Sequence, residues 1–181
     1  MASGSHIAGS GFIGRPENAE AAPYYFTYID KVRTDDVMAV LKKQLTDVPK
    51  FLETISAEKS LSRYAPGKWS IREVLNHVND TERVFAFRAM WFARELEIPL
   101  PSFDQDVAVK HAAADAVDWA DHVEEFRRVR LATTSLFENL PREAWMRTGT
   151  ASEKLFSVRA MAYIIAGHAE HHMIGIRENY L

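Results

Sequence analysis

"SIREVLNHVNDTERVFAFRAMWFAREL", residues 70–96, decides the class of fold. Ile71, Val74, Leu75, Val78, Phe85, Ala89, Phe92 and Leu96 recur at helical intervals and form one continuous apolar stripe. Pro66-Gly67 makes a turn ahead of it, and Ser70 with Glu73 gives the S-x-x-E of a capping box. A helix over residues 71–96 is roughly 39 Å long at 1.5 Å per residue, a length suited to a bundle.

The same pattern recurs on both sides. Upstream, Val37, Leu41, Leu45, Val48, Leu52 and Ile55 make a stripe that Thr34 or Asp35 can cap, with Pro49 kinking or dividing the helix. Downstream, residues 97–118 form a long connection interrupted by Pro99 and Pro101, with room for a short helix near Asp104–His111. A third long helix is predicted over Trp119–Leu140, with Val123, Phe126, Val129, Ala132 or Thr133, Leu136 and Phe137 inward. "RTGTASEKLFS" reads as a small hairpin, after which Ser157 caps a last helix from Val158 to about Tyr180. The expected fold is all-α: a four-helix bundle with a long crossover connection between helices 2 and 3, so it need not run simply up-down-up-down. Residues 1–23, rich in Gly, Ser and Ala, read as a flexible leader, and 24–181 as one bundle domain. "GSGFIG" within the leader matches G-x-G-x-x-G, but no strand precedes it and "RPENAEAAP" opens no helix behind it, so a nucleotide fingerprint is rejected.

Composition narrows function by exclusion. The 181 residues carry a formal charge of −3 and 47% apolar side chains. A chain of that kind can bury its own core and lacks the basic surplus of a nucleic-acid partner. With no cysteine there is no disulfide, thiolate metal site or cysteine nucleophile. Neither a signal peptide nor an apolar run of membrane-spanning length is evident, so the expectation is a cytoplasmic protein with no membrane partner.

What remains are the histidines. "AGHAEHHMIGIRENYL", residues 166–181, holds three of the seven. His168 and His172 fall on the stripe of Met161, Ile164, Ile165 and Ile176, four residues apart, so both rings lie on one side of the helix. Two imidazoles at that spacing can grip one metal ion. His171 points toward the flank and is the second choice. A third ligand must come from a facing helix, and His77, beside Val74 and Val78, is the candidate. Buried imidazoles need partners, and no set of carboxylates shares their stripes, whereas one cation would satisfy all three. Three neutral imidazoles suit zinc, nickel, iron(II) or copper(II) and leave a coordination position open to water or substrate. His6, His111 and His122 read as structural or solvated.

Nearby residues have two readings each. Asp80 either orients an imidazole from behind or faces solvent. Thr81 and Arg88 share the His77 face, and Arg88 either clamps an anionic group of a substrate or pairs with Glu95 or a loop acid. Asp104, in "FDQD", either caps the cleft or caps a short helix. Trp69, Phe85, Phe87, Trp91 and Phe92 are mostly core, and any left exposed would mark a dimer face or pocket wall.

"YAPGKWSIREVLNHVNDTERVFAFRAM", "FDQD" and "SVRAMAYIIAGHAEHHMIGIRENYL" together resemble the DinB-like superfamily of DNA-damage-inducible bacterial proteins, from about Tyr24 to Leu181. The resemblance implies a four-helix bundle with a divalent metal held by His77, His168 and His172 near one end of a cleft. It also implies a homodimer, and, as in several related enzymes, a low-molecular-weight thiol as external cofactor. Two functions follow as expectations. One is a metalloenzyme that activates water or a thiol against a small-molecule substrate, as a hydrolase or thiol transferase. The other is a non-catalytic, stress-related metal-binding or interaction protein, kept open because no inward-facing acid beside the ligands, apart from Asp80, offers a general base.

Overall fold

The computed structural model describes residues 13–181. Six helices are present: α1 (Phe26–Ile29), α2 (Val37–Leu52), α3 (Ile71–Ala93), α4 (Gln105–Ala112), α5 (Trp119–Glu138) and α6 (Val158–Asn179). A hairpin of β1 (Thr148–Ala151) and β2 (Lys154–Ser157) leads into α6. The four long helices α2, α3, α5 and α6 form the bundle. α3 packs on α5 and α6, and α2 also packs on α5 and α6. Consecutive α2 and α3 therefore face each other across a diagonal, as do α5 and α6. The connections over residues 53–70 and 139–157, the second carrying the hairpin, span those diagonals, whereas the long crossover through α4 joins α3 to α5, which pack on each other. No helix of the described residues is long and apolar enough to cross a membrane.

Local chemistry sets the helix ends. Ser70 accepts from the Glu73 N–H at 3.0 Å while the Glu73 carboxylate accepts from the Ser70 N–H at 2.7 Å, so the capping box forms. At the other end α3 stops at Ala93, short of the expected Leu96, which is exposed. Glu95 adopts a left-handed φ of 56°, and the N–H groups of Glu95 and Leu96 return to the carbonyls of Phe92 and Trp91. That is a Schellman closure with glutamate where glycine is usual. α2 is capped by Asp36, not by Thr34 or Asp35, through a 2.9 Å bond from the Ala39 N–H. It runs unbroken through Pro49, and it buries Gln44 while Leu45 stays half-buried. On α5, Thr133 and not Ala132 faces inward. Asp104 caps α4 by accepting from the N–H groups of Asp106 and Val107.

Of the expected leader, residues 13–23 lie against the bundle. Ile13 packs on the core, Ala21 is buried, and the Glu20 carboxylate binds Ser157 Oγ at 2.6 Å and Arg159 Nε at 2.7 Å. The pairing partner lies 139 positions away, which no local reading reveals. Residues 1–12, with His6 and most of "GSGFIG", fall outside the described residues.

The core is two apolar clusters with a polar layer between them. One contains Leu41, Phe85, Phe92, Phe137 and Tyr163, the other Leu52, Leu75, Val78, Phe126 and Met173. Where they meet, each long helix turns a polar side chain inward: Gln44 from α2, Glu82 from α3, Arg130 from α5 and His168 from α6. Arg130 makes a bidentate pair with Glu82 at 2.8 and 2.7 Å and also donates to Gln44, whose amide donates to the Ala166 carbonyl at 2.8 Å. The charge is thus buried with its counter-ion and its hydrogen bonds, the condition under which burial is tolerated. One residue from that carbonyl, Gly167 lets α1 approach: a Cβ there would lie 2.0 Å from the Tyr28 carbonyl oxygen.

Candidate metal centre

The metal-ligand candidates sit just below this polar layer. α3 presents His77, Thr81, Phe85 and Arg88 at intervals of four, four and three, one row on one face. α6 presents His168 and His172 one turn apart, their ring centroids separated by 4.5 Å. Packing of α3 on α6 brings the two rows together. His77 Nε2 lies 3.1 Å from His168 Nε2, and His172 Nε2 also lies 3.1 Å from His168 Nε2. One ring nitrogen from each of the three falls within 4.8 Å of the other two.

Such a cluster is poorly satisfied by hydrogen bonds alone. Each neutral imidazole has one N–H, and the three Nε2 atoms converge on one point, so they cannot all be paired there with each other. On the far side of His77, Nδ1 lies 3.2 Å from Thr81 Oγ1; in the tautomer whose Nδ1–H donates to that hydroxyl, Nε2 keeps its lone pair facing the other two rings. Among the described residues no carboxylate hydrogen-bonds any of the three rings. The rings are also kept neutral. Burial, with a smaller contribution from His171, lowers the His77 pKa to about 4. Burial first, then the neighbouring histidines, holds His168 and His172 well below the ordinary imidazole value, and Arg130 adds to the effect on His168. Neutral, convergent imidazoles are the form that binds a cation. Two nitrogens each about 2.0–2.1 Å from one tetrahedral zinc lie roughly 3.3 Å apart, close to the spacing here.

Aromatic rings wall the cluster. Trp69 lies against His77, and the edges of Tyr28 and Phe85 meet His168. Two cavities flank it. A small one of about 90 Å³ is bordered by His168, Thr81, Phe85, Arg88 and Tyr28. A larger groove of about 560 Å³ is bordered by His172, His171, Trp69, Lys31 and Lys68.

The remaining candidates separate. His171 packs edge-on to Tyr28 and His172, outside the convergent group. Asp80 turns from His77: it accepts from Asn76 Nδ2 at 2.9 Å and Arg83 Nη1 at 3.2 Å. The contact expected of it is made by Thr81. Arg88 is buried, donating to the Pro101 carbonyl at 2.9 Å and Ser152 Oγ at 3.2 Å, while Glu95 pairs with Arg147. His122 is a core residue with Nε2 against the Ala114 carbonyl, and His111 is exposed. Gln44, Glu82 and Arg130 went unread in the sequence because a buried charge looks, locally, like any charge on a helix. Tyr28 carried a faint signal in the aromatic run "YYFTY", but nothing linked it to a histidine 140 positions later.

A family model described as the DinB superfamily matches residues 41–175. Among solved structures, the chain is similar to YfiT from Bacillus subtilis, a protein described as "a probable metal-dependent hydrolase with an unusual four-helix bundle topology". That likeness has a TM-score of 0.66 at 15% sequence identity and covers 90% of this chain and 89% of that one. At this identity it is a likeness of fold. No curated protein matches the chain.

Proposed function

The chain belongs to the DinB superfamily, and from that premise we propose that it is a metal-dependent enzyme whose divalent ion is held by His77, His168 and His172. The observation that carries this reading is the convergence of three Nε2 atoms, those of buried His77 and His168 and of half-buried His172, 3.1 Å apart in two successive steps, with no carboxylate on any of the three rings among the described residues. The ion is zinc, nickel or iron(II), all of which accept neutral imidazole. When bound, it supplies Lewis acidity and makes water or a thiol nucleophilic near neutral pH.

The protein's own residues prepare the site. Thr81 fixes the His77 tautomer so that Nε2 faces inward. The Arg130–Glu82–Gln44 layer anchors the α6 backbone at Ala166, two residues before His168, and keeps Glu82 occupied, so the site stays all-nitrogen. Trp69, Tyr28 and Phe85 exclude water from the flanks of the rings. Catalysis is favoured over a purely structural ion because both His168 and His172 border cavities, whereas structural sites are closed by a fourth protein ligand.

The reaction is hydrolysis of a small molecule or transfer of an external low-molecular-weight thiol to it. The groove beside His172, with Lys31 and Lys68 at its rim, suits an anionic thiol. A homodimer is part of the same proposal, supported by exposed Phe87 and Leu131 on the outer faces of α3 and α5. The test is a panel of metal-reconstituted protein with glutathione, bacillithiol or mycothiol and an electrophilic acceptor, alongside activated esters and amides without thiol. The reading expects turnover in one arm that disappears in His168→Ala. Equal rates for the wild type and His168→Ala in every arm would contradict it.

A further inference from the structure

The small cavity beside His168 contains a feature that metal binding does not require. Arg88 lies on its wall, 4% exposed, and among the described residues it pairs with no carboxylate. Its partners are neutral: the Pro101 carbonyl and the Ser152 hydroxyl, both engaging Nη2, and the Tyr25 hydroxyl. A buried guanidinium with no counter-ion is costly; elsewhere in this bundle Arg130 and Arg159 each have a buried or half-buried glutamate, while buried Arg72 is held by neutral acceptors on all three of its nitrogens. The surroundings of Arg88 are also held under strain. Ser152 sits at φ 52° in the two-residue turn of the hairpin, a left-handed conformation usually left to Gly, Asn or Asp, and that turn brings its hydroxyl to Arg88.

Resting on the metal-centre reading above, we propose that Arg88 is the recognition site for the carboxylate of a small monoanionic substrate, whose other end reaches the three-histidine centre. The cavity has Arg88 and His168 in one wall, with Phe85 between them: the guanidinium lies 5.8 Å from the Phe85 ring centre, and that ring lies 6.2 Å from the His168 ring. Carboxylate is favoured over phosphate by charge and size. Among the described residues lining the cavity Arg88 is the single fixed cation, and a volume of about 90 Å³ suits a substrate of few heavy atoms. The hydroxyls of Tyr24 and Tyr28, 2.9 Å apart, offer neutral hydrogen bonds along the same wall. Arg88 thus sets specificity and orientation, while the reacting atoms meet the histidine end.

Ligand-observed NMR on the full chain tests this with propionate, its neutral isostere propionamide, and inorganic phosphate, each with zinc-loaded and chelator-treated protein. The expected result is that propionate binds about tenfold or more tighter than propionamide, with or without zinc. Arg88→Gln should abolish that preference and Arg88→Lys should keep part of it. If Arg88→Gln does not fold, the isostere comparison in wild type and Arg88→Lys decides. No preference in wild type, or a preference that is lost on chelation and survives in zinc-loaded Arg88→Gln, overturns the proposal, since in the second case the anion sits on the metal. Phosphate binding tighter than propionate through Arg88 overturns the carboxylate assignment. Zinc content, measured on the same samples, separates the two readings: Arg88-dependent preference in a chain that takes up no zinc supports the anion site and refutes the metal centre.

Discussion

Acidifying the metal-free protein should unfold it earlier than its carboxylates alone would, because three imidazoles are buried neutral. His77 has a folded pKa near 4 against 6.5 for a free ring. A lowered folded value means that the unfolded chain binds the extra proton, so stability is complete above about pH 6.5 and is lost as pH falls through 6.5 toward 4. By pH 5 the loss for this one ring is about 2 kcal/mol, at 1.36 kcal/mol per unit. His168 and His172 are lowered for the same reason, burial, and act in the same direction. Against a whole-domain stability of about 5–15 kcal/mol, the loss from His77 alone is already substantial. The assay is urea unfolding of chelator-treated protein at pH 7 and pH 5, compared with the triple variant His77→Gln, His168→Gln, His172→Gln. The wild type should lose at least about 2 kcal/mol more than the variant over that interval. Saturating zinc, which binds only the deprotonated rings, should preserve stability to lower pH. An equal loss in wild type and variant would refute the reasoning, because the rings would then titrate alike in both states.

Three further outcomes follow from particular contacts. Thr81→Val keeps the shape of the side chain but removes the acceptor for His77 Nδ1–H, and should weaken zinc affinity about 10–100-fold, read by competition with a chromophoric chelator, without changing the circular dichroism. Arg130→Ala strands Glu82 in the core and should cost about 3–5 kcal/mol in chemical denaturation, more than the paired change Glu82→Met with Arg130→Met. Gly167→Ala drives a methyl group into the Tyr28 carbonyl and should cost about 1–3 kcal/mol, with near-ultraviolet dichroism reporting the displaced tyrosines.

What the sequence disclosed follows from the range of each interaction. The capping box at Ser70 and the stripe of α3 are local, and the helix forms as read. Its end was misplaced because Glu95, not a glycine, takes the left-handed position, so no residue type signalled the stop. His168 and His172 were legible through their spacing on an apolar face, and His77 through its place at the edge of another. Asp80 was open to either reading, whereas Thr81 is the residue that meets His77, and helical geometry explains the difference. At about 100° per residue, position i+4 lies some 40° from His77 and position i+3 about 60° to the other side, so small rotations decide which one meets the ring. The polar layer stayed hidden because Arg130 and Glu82 are neutralised only by each other, 48 positions apart. Arg88 could be read either way until the hairpin turn and the Pro101 carbonyl were seen to hold it in place of an acid.

The most direct measurement is elemental analysis by mass spectrometry on protein purified without an immobilised-metal column, for wild type and for His77→Ala, His168→Ala and His172→Ala. About one divalent ion per wild-type chain, falling below about a tenth in each variant while the helical dichroism persists, is the result predicted for one cation shared by three rings. Wild-type protein that binds no ion, or variants that keep full occupancy, would contradict it.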